Sequence, residues 1–327
     1  MDRLAIVVPC YNEEEVFADT ARQLTGLVVG LVEKGKISPD SYMLFVNDGS
    51  TDHTWHLMRE EFERNRYVSA INLAGNAGQQ NALWAGLSAV SEHCDMAVSI
   101  DADLQDDIHV MEEMIDRFHA GADVVYGVRN QRKTDTFFKR ATAHLFYTVM
   151  DRLETKCVYN HADYRLMSAR ALQQLMQYQE RNLFVRGLVP LIGYPSDTVY
   201  YARKPRTAGK SKYPLSKMIS VAWEGITSFS MKPMTAVMAV GGGVLLCAMM
   251  AFVYILLSFF SGRAVSGWSS MMVSVWFLGG LQLCGVGMIG AYIGKTYLEV
   301  KRRPRFHIEC MLSHDMAQPD SLDTPQK

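Results

Sequence analysis

Met96-Ala97-Val98-Ser99-Ile100-Asp101-Ala102-Asp103-Leu104-Gln105-Asp106 is the stretch that decides the fold. Its first half is short, apolar and partly β-branched, and its second half turns abruptly acidic. A short apolar run closed by polar residues reads as a buried strand that ends in a loop. Working outward, the pattern recurs. Leu4–Pro9 runs into Cys10-Tyr11-Asn12-Glu13-Glu14, and Tyr42–Asn47 runs into Asp48-Gly49-Ser50-Thr51-Asp52. Val68–Leu73 and Val124–Gly127 complete the predicted strands. Helical patterns fill the intervals at Glu13–Lys34, Thr54–Arg64, Gln79–Glu92, Ile108–His119, Phe137–Leu153 and Ala169–Tyr178. Alternating strands and helices predict an α/β domain, a Rossmann-like and mostly parallel sheet with helices on both faces. Such sheets bind ligands beyond the carboxyl ends of their strands.

Three of those ends are acidic. Singly, each has a structural alternative: Asn12 or Asp52 can cap the next helix, and Asp48-Gly49 can be a plain turn. Jointly, carboxylates converging from several strands predict a polar ligand or a metal. Asp101, Asp103 and Gln105 are the sharpest part of that signal. Oxygen ligands at alternate positions along an extended loop can face one cation, and Mg²⁺ or Mn²⁺ suits such donors and commonly shares them with substrate phosphates. By contrast, Asn160-His161-Ala162-Asp163-Tyr164-Arg165 has neither a strong helix nor a strand pattern, and Asp163 paired to Arg165 in a loop is its plain structural reading.

The chain has 327 residues, 49% hydrophobic and 20% charged, which excludes disorder over most of its length. Thirty-three Lys and Arg balance thirty-four Asp and Glu, so no broadly basic nucleic-acid-binding surface is expected. The balance is uneven, because residues 203–232 and 295–305 together hold twelve Lys or Arg against two Glu. Basic blocks of this kind suit lipid headgroups or a phosphate-bearing substrate. The six Cys form no CxxC pair and read as reduced packing residues.

Residues 233–262 and 264–294 carry no Asp, Glu, Lys or Arg. A bilayer core of ~30 Å needs about 20 apolar helical residues, and both runs reach that length. They predict a two-helix transmembrane hairpin, with spans at about 234–260 and 271–294 joined by Ser261–Ser270. Lys and Arg crowd the outer flanks while the linker has only Arg263, so the positive-inside rule predicts both termini in the cytoplasm. Residues 213–232 read as an interfacial helix, or alternatively as a helix packed on the soluble domain. Residues 1–212 form the soluble domain and 296–327 the tail, which is expected to be loose after Glu309. Gly285-x-Gly287-x-x-Gly290 fits a dinucleotide fingerprint but lies within the second span. It reads instead as small residues for close helix approach.

The segments VVPCYNEEE (7–15), FVNDGSTD (45–52), SIDADLQD (99–106), GADVVYGVR (121–129), ADYRLMSARAL (162–172), ERNLFVRG (180–187), GKSKY (209–213), EGITSFS (224–230) and IGAYIGKTYLEVKRRPR (289–305) resemble family 2 glycosyltransferases of the polyisoprenyl-phosphate branch. That branch includes dolichol-phosphate mannose synthase and the bactoprenol (undecaprenyl-phosphate) glucosyltransferases. The resemblance implies a GT-A fold, a UDP-sugar donor, an undecaprenyl-phosphate acceptor, a divalent metal, a bacterial inner-membrane location and a homo-oligomer. It implies that Pro9, Tyr11, Glu13, Val46 and Asp48 hold the nucleoside, and that Asp101, Ala102, Asp103 and Gln105 hold the diphosphate and its metal. Arg129 would sit nearby, with Arg206 and Lys212 binding phosphate from a loop. Asp163 and Arg165 would lie near the reacting centre. From their charge alone, Arg181, Arg186, Arg203 and Lys204 read as a solvated face or as contacts to lipid headgroups or to the acceptor phosphate, the last expected of Arg181 and Arg186. Ala162, Tyr164, Gly75 and Lys210 depart from the family's usual Gly, Phe, Arg and acidic residue. Rival readings are a processive polysaccharide synthase, disfavoured because no Trp follows an Arg, a nucleotide-sugar-binding scaffold, and a sister transferase for mannose or an amino-arabinose.

Overall fold

A computed structural model of the chain describes residues 1–129, 161–180, 185–202 and 267–314, with isolated positions between 234 and 254. These fall into two compact units. One holds residues up to 202 together with those from Pro304, and the other is the apolar segment ending at Arg303.

In the first unit β1 (Leu4–Cys10), α1 (Phe17–Glu33), β2 (Tyr42–Asn47), α2 (Thr54–Arg64), β3 (Val68–Leu73), α3 (Gln79–Val90), β4 (Met96–Ser99), α4 (Val110–His119) and β5 (Val124–Arg129) follow in the predicted order. Then come β6 (His161–Ser168), α5 (Ala169–Met176), a single turn α6 (Val185–Leu188), β7 (Ser196–Tyr201) and, after the second unit, β8 (Ile308–Leu312). The eight strands are ordered β7-β5-β6-β4-β1-β2-β3-β8. β4, β1, β2 and β3 run parallel, as do β5 and β7, while β6 and β8 pair antiparallel to their neighbours.

Both faces of the central strands are covered. Leu4, Ile6 and Val8 of β1 join the cluster that includes Leu24 and Val28 of α1, Met58 of α2 and Met111 of α4. On the opposite face Val7 and Val46 meet α3 at Gly86, where an added Cβ would lie 2.4 Å from Val7 Cγ1 and 2.9 Å from Val46 Cγ2. This glycine sets how deeply α3 sinks onto the sheet.

Three strands were not expected. The segment read as patternless is β6, buried along Asp163–Met167. A strand covered on both faces loses the apolar–polar alternation that identifies half-buried strands, and Asp163 and Arg165 disguise this one further. β7 follows Pro195 and extends the opposite end of the sheet. The tail expected to be loose after Glu309 continues as β8 to Leu312, pairing Ala70↔Leu312 and Asn72↔Cys310. Asn72 Nδ2 donates to Glu309 Oε2 at 2.6 Å, and the Phe62 and His314 rings stack at 4.2 Å. Arg305 joins this edge, its guanidinium 4.5 Å above the Trp84 ring and Nη2 donating to Tyr178 O at 3.1 Å. α1 also begins later than expected, because Glu13 O accepts from Val16 N and Phe17 N in a turn.

In the second unit α7 spans Trp268–Lys301, 34 residues. Its Phe277–Lys301 portion has a mean hydropathy of 1.5 with none of its apolar window buried, and it is the one helix among the described residues long and apolar enough to cross a membrane. Arg302 ends it in the left-handed region at φ 45°, followed by Arg303 and Pro304. The first expected span is described only at isolated positions, all helical. One of them, Val237, lies 3.7 Å from where a Cβ on Gly285 would stand, whereas Gly287, Gly290 and Gly294 have nothing within 4 Å. The expected helix 137–153 and interfacial helix 213–232 lie outside the described residues.

Gly86→Ala should destabilise the protein by about 1–3 kcal/mol, the usual cost of overpacking a tight interior. An unchanged melting temperature for this variant would contradict the close α3–sheet contact.

Candidate active site

The sheet order sets the C-terminal ends of β4, β1 and β2 side by side, with Val7 opposite Ser99 and Cys10 opposite Asn47. Pro9 and Val46 are register partners on this edge. The loops beyond are tied to one another. After β1, Asn12 takes a left-handed conformation at φ 53°. Its amide donates to Ser50 Oγ at 2.9 Å and its Oδ1 accepts from Thr51 N at 2.8 Å. Glu13 N donates to Thr54 Oγ1 at 2.9 Å, and Tyr11 stands 41% exposed beside these anchors. Asp52 accepts from Thr54 N and Glu14 N, the local backbone role that short acidic side chains commonly take.

After β2, Asp48 is buried and spends both carboxylate oxygens on backbone amides, accepting from Ala77 N at 2.7 Å and Gly78 N at 3.0 Å. Burial raises its carboxyl above the usual value, and the two amides oppose that rise. Gly49 at φ 63° is packed so that a Cβ would fall 2.5 Å from Asn76 N.

After β4, the acidic loop is held at Ala102, whose carbonyl accepts from Thr20 Oγ1 at 2.7 Å, and it bends at Leu104, φ 42°. Asp101 is half-buried, with Gln79 Nε2 donating to its Oδ1 at 2.9 Å. Burial first, then the nearby Asp163, Asp106 and Asp103 carboxylates, push the Asp101 carboxyl up to about 7, against the pull of Arg186. Asp103 Oδ1 accepts from Gln105 N at 3.3 Å. Gln105 is 5% exposed, and its Nε2 has no protein partner. Asp106 is engaged by Arg129, whose Nε and Nη2 each donate at 3.0 Å.

β6 brings in the second half of the site. Asp163 is 6% exposed and Arg165 0%. Arg165 Nη2 donates to Asp163 Oδ1 at 2.6 Å, and Arg186 closes a fork with Nε to Oδ1 at 3.0 Å and Nη2 to Oδ2 at 2.8 Å. Gln80 Nε2 adds a bond to Oδ2 at 3.3 Å. Burial pulls the Arg165 guanidinium below its ordinary value while Asp163 opposes. For Arg186 burial is outweighed, chiefly by Asp163, and the group ends above its ordinary value. The Asp163–Arg165 pair is thus an interior ion pair on a strand, where the sequence showed neither a strand nor a helix pattern. Arg186, expected at an acceptor phosphate, turns two of its nitrogens to Asp163. Tyr164, where the family usually has Phe, is buried with its hydroxyl donating to Asp107 O at 3.1 Å.

Asp101, Asp103, Gln105, Asp106 and Asp163 therefore lie in one acidic region that Arg129, Arg165 and Arg186 partly neutralise. Arg181, Arg206 and Lys212 lie outside the described residues. Among the described residues no three His, Cys, Asp or Glu side chains group as a ready-made metal cage. The donor chemistry nonetheless fits a Mg²⁺- or Mn²⁺-type ion, which takes a few protein oxygens and completes its shell with water and phosphate. Asp101 is crowded by like charge, which a bound cation would relieve. Sequence reasoning missed Gln79 and Gln80, which carry no motif and follow Gly78 in the first turn of α3.

Comparison with known proteins identifies the class. The Glycosyl transferase family 2 profile matches residues 5–176. A Bacillus subtilis uncharacterized glycosyltransferase, YkoT, is 50% identical, covering 97% of this chain and 94% of its own. The bactoprenol glucosyl transferase of Shigella phage SfII is 38% identical, covering 94% and 97%. Among solved structures, glucosyl-3-phosphoglycerate synthase from Mycobacterium tuberculosis, in complex with Mn²⁺, UDP and phosphoglyceric acid, is 18% identical over 69% of this chain and 76% of that one, at a TM-score of 0.46. The chain belongs to glycosyltransferase family 2, in its polyisoprenyl-phosphate branch. It is a glycosyltransferase with a GT-A-like, mostly parallel sheet.

Asp163→Asn would leave the Arg165 guanidinium buried without its counter-charge, a change that costs about 3–5 kcal/mol. Denaturant unfolding should register that loss, and adding Arg165→Met should recover part of it. Asp101 gives a pH signature. Its folded-state carboxyl lies above the unfolded one, so between about pH 4 and 7 the folded state holds the extra proton and stability falls as pH rises. In the metal-free protein Asp101→Asn should therefore raise the melting temperature more at pH 8 than at pH 5, and an equal shift at both would contradict the crowding of Asp101.

Proposed function

We propose that the protein transfers glucose from UDP-glucose to undecaprenyl phosphate on the cytoplasmic face of a bacterial inner membrane. The carrying observation is the carboxylate crowding at Asp101, in a chain 38% identical to a bactoprenol glucosyl transferase over nearly its whole length. The exposed apolar α7, with Lys295, Lys301, Arg302, Arg303 and Arg305 at its end, supports membrane attachment with that end cytoplasmic. The reading takes residues 233–262 as a second span. It takes the acceptor lipid as reaching the site from the bilayer, while the nucleotide sugar comes from the cytoplasm.

In this reading Pro9, Tyr11, Glu13, Val46 and Asp48 form the nucleoside side of the site. Asp101, Ala102 and Asp103 face the diphosphate, with Arg129, Arg206 and Lys212 supplying positive charge. Asp101, Asp103 and Gln105 would hold a divalent ion, which when bound supplies charge stabilisation for the departing diphosphate. An oxygen of the acceptor phosphate attacks the anomeric carbon as the bond to UDP breaks, so a single displacement inverts that carbon. The acceptor is anionic already and needs no strong base. Asp163 therefore serves to fix Arg165 and Arg186, a role its paired guanidinium contacts support, and Arg186, the more exposed of the two, together with Arg181 draws in the acceptor phosphate.

Purified protein incubated with undecaprenyl phosphate and a panel of UDP- and GDP-sugars should yield a hexosyl lipid from UDP-glucose, identified by mass. Asp103→Asn should cut turnover by roughly 10²-fold or more, the scale of losing one group that stabilises developing charge. Product from GDP-mannose alone would replace the glucose assignment, and full activity after chelation would remove the metal.

A further inference from the structure

The first turn of α3 is where the two halves of the site meet. Asp48, just beyond β2, reaches it through the amides of Ala77 and Gly78. Asp101, beyond β4, reaches it through Gln79 Nε2. Asp163, on β6, reaches it through Gln80 Nε2. The other end of the Gln80 carboxamide is used too, its Oε1 accepting from Val185 N at 3.2 Å. Val185 opens α6, which carries Arg186 one residue on. With donor and acceptor ends both engaged, the Gln80 amide has one orientation, which ties Asp163 to the start of the turn that carries Arg186. The neighbouring amide holds a carboxylate of the other half. Consecutive side chains on a helix point about 100° apart, so two adjacent glutamines can reach two separate clusters that neither could span alone.

We propose that Gln79 and Gln80 are a pair of positioning residues, Gln79 fixing the donor- and metal-side carboxylate Asp101 and Gln80 fixing the Asp163–Arg165–Arg186 network on the acceptor side. The proposal rests on the glycosyl-transfer reading and assigns the pair separate tasks within it. Helix geometry supports the placement, because the positive end of α3 faces three carboxylates that its dipole favours. The seat of α3 supports it as well: Gly86 lets the helix lie close on Val7 and Val46. The helix head cannot drift without moving both clusters.

The test uses the full-length protein and two nearly isosteric substitutions that remove the amide, Gln79→Met and Gln80→Met. Two readouts are followed: Mn²⁺-dependent binding of UDP, and steady-state transfer from UDP-glucose. Gln79→Met is expected to weaken Mn²⁺-dependent UDP binding by about tenfold, as for loss of one hydrogen bond to a charged group, with kcat nearly unchanged. Gln80→Met is expected to lower kcat by about tenfold with donor KM and UDP binding nearly unchanged. If Gln80→Met does not fold, Gln80→Asn, which draws the same amide back by one methylene, takes its place with the same expected split. Both substitutions moving the same parameter, or neither moving any, overturns the proposal. Failure of the wild-type protein to use UDP-glucose, with transfer from another nucleotide sugar that Gln80→Met slows and Gln79→Met does not, would overturn the glucosyl reading and leave the pair standing. Absence of Mn²⁺-dependent UDP binding in the wild type would overturn both.

Discussion

The contact on which the site's geometry depends is the carboxylate of Asp163 between two guanidinium groups. Arg165 is wholly buried, with Asp163 and the Val185 carbonyl as partners and its Nε without one. A buried cation is tolerated only beside a well-placed opposite charge, because desolvation is repaid only when the geometry is good. That requirement holds β6 in register against β4, where Ser99 lies opposite Arg165 and the Ser99 hydroxyl donates to Asp163 O. It also fixes Arg186, whose fork bonds both oxygens of the same carboxylate. The interior charges thus select one arrangement among many that apolar packing alone would allow.

Much of this architecture was readable in the residues, and the parts that were not share a cause. β1 to β5 and α1 to α4 are local in character. Their apolar runs carry their own period, and polar residues close them. The acidic strand ends were readable for the same reason, since DADLQ changes character within one step of a buried run. β6 was not, because a strand lined with a buried Asp and Arg looks polar until the partners from Val185–Arg186 are in place. β8 owes its strand form to the free edge of β3, a partner more than two hundred residues away. Gln79 and Gln80 bear no chemical mark, since an amide becomes informative only when its two ends meet something particular. The unrecognised strand at Asp163 and the strand at the start of the tail, up to Leu312, were thus both missed for want of long-range partners.

The family assignment and the physical picture bear on different questions. Similarity over nearly the whole chain says what kind of enzyme this is, while the contacts say which residues can be moved independently. Asp106 and Asp163 are paired with guanidinium groups and Asp48 spends both oxygens on backbone amides, so each of these carboxylates is already satisfied from within. Asp101 is the exception. It is held by a neutral amide and crowded by acids, which makes it the least comfortable charge of the site and the one with most to gain from a cation.

The position of β8 has a consequence for the order in which the molecule is made. The ribosome delivers β1 to β7 first, then the long apolar helix, and only afterwards the strand that covers β3. Until Leu312 has emerged, the buried strand β3 is itself an edge of the sheet, the kind of surface on which other chains add strands. The catalytic domain is therefore finished by a segment synthesised after the apolar helix. A nascent chain stalled in that helix would carry an incomplete sheet, and completion of the fold reports that the helix has already been passed.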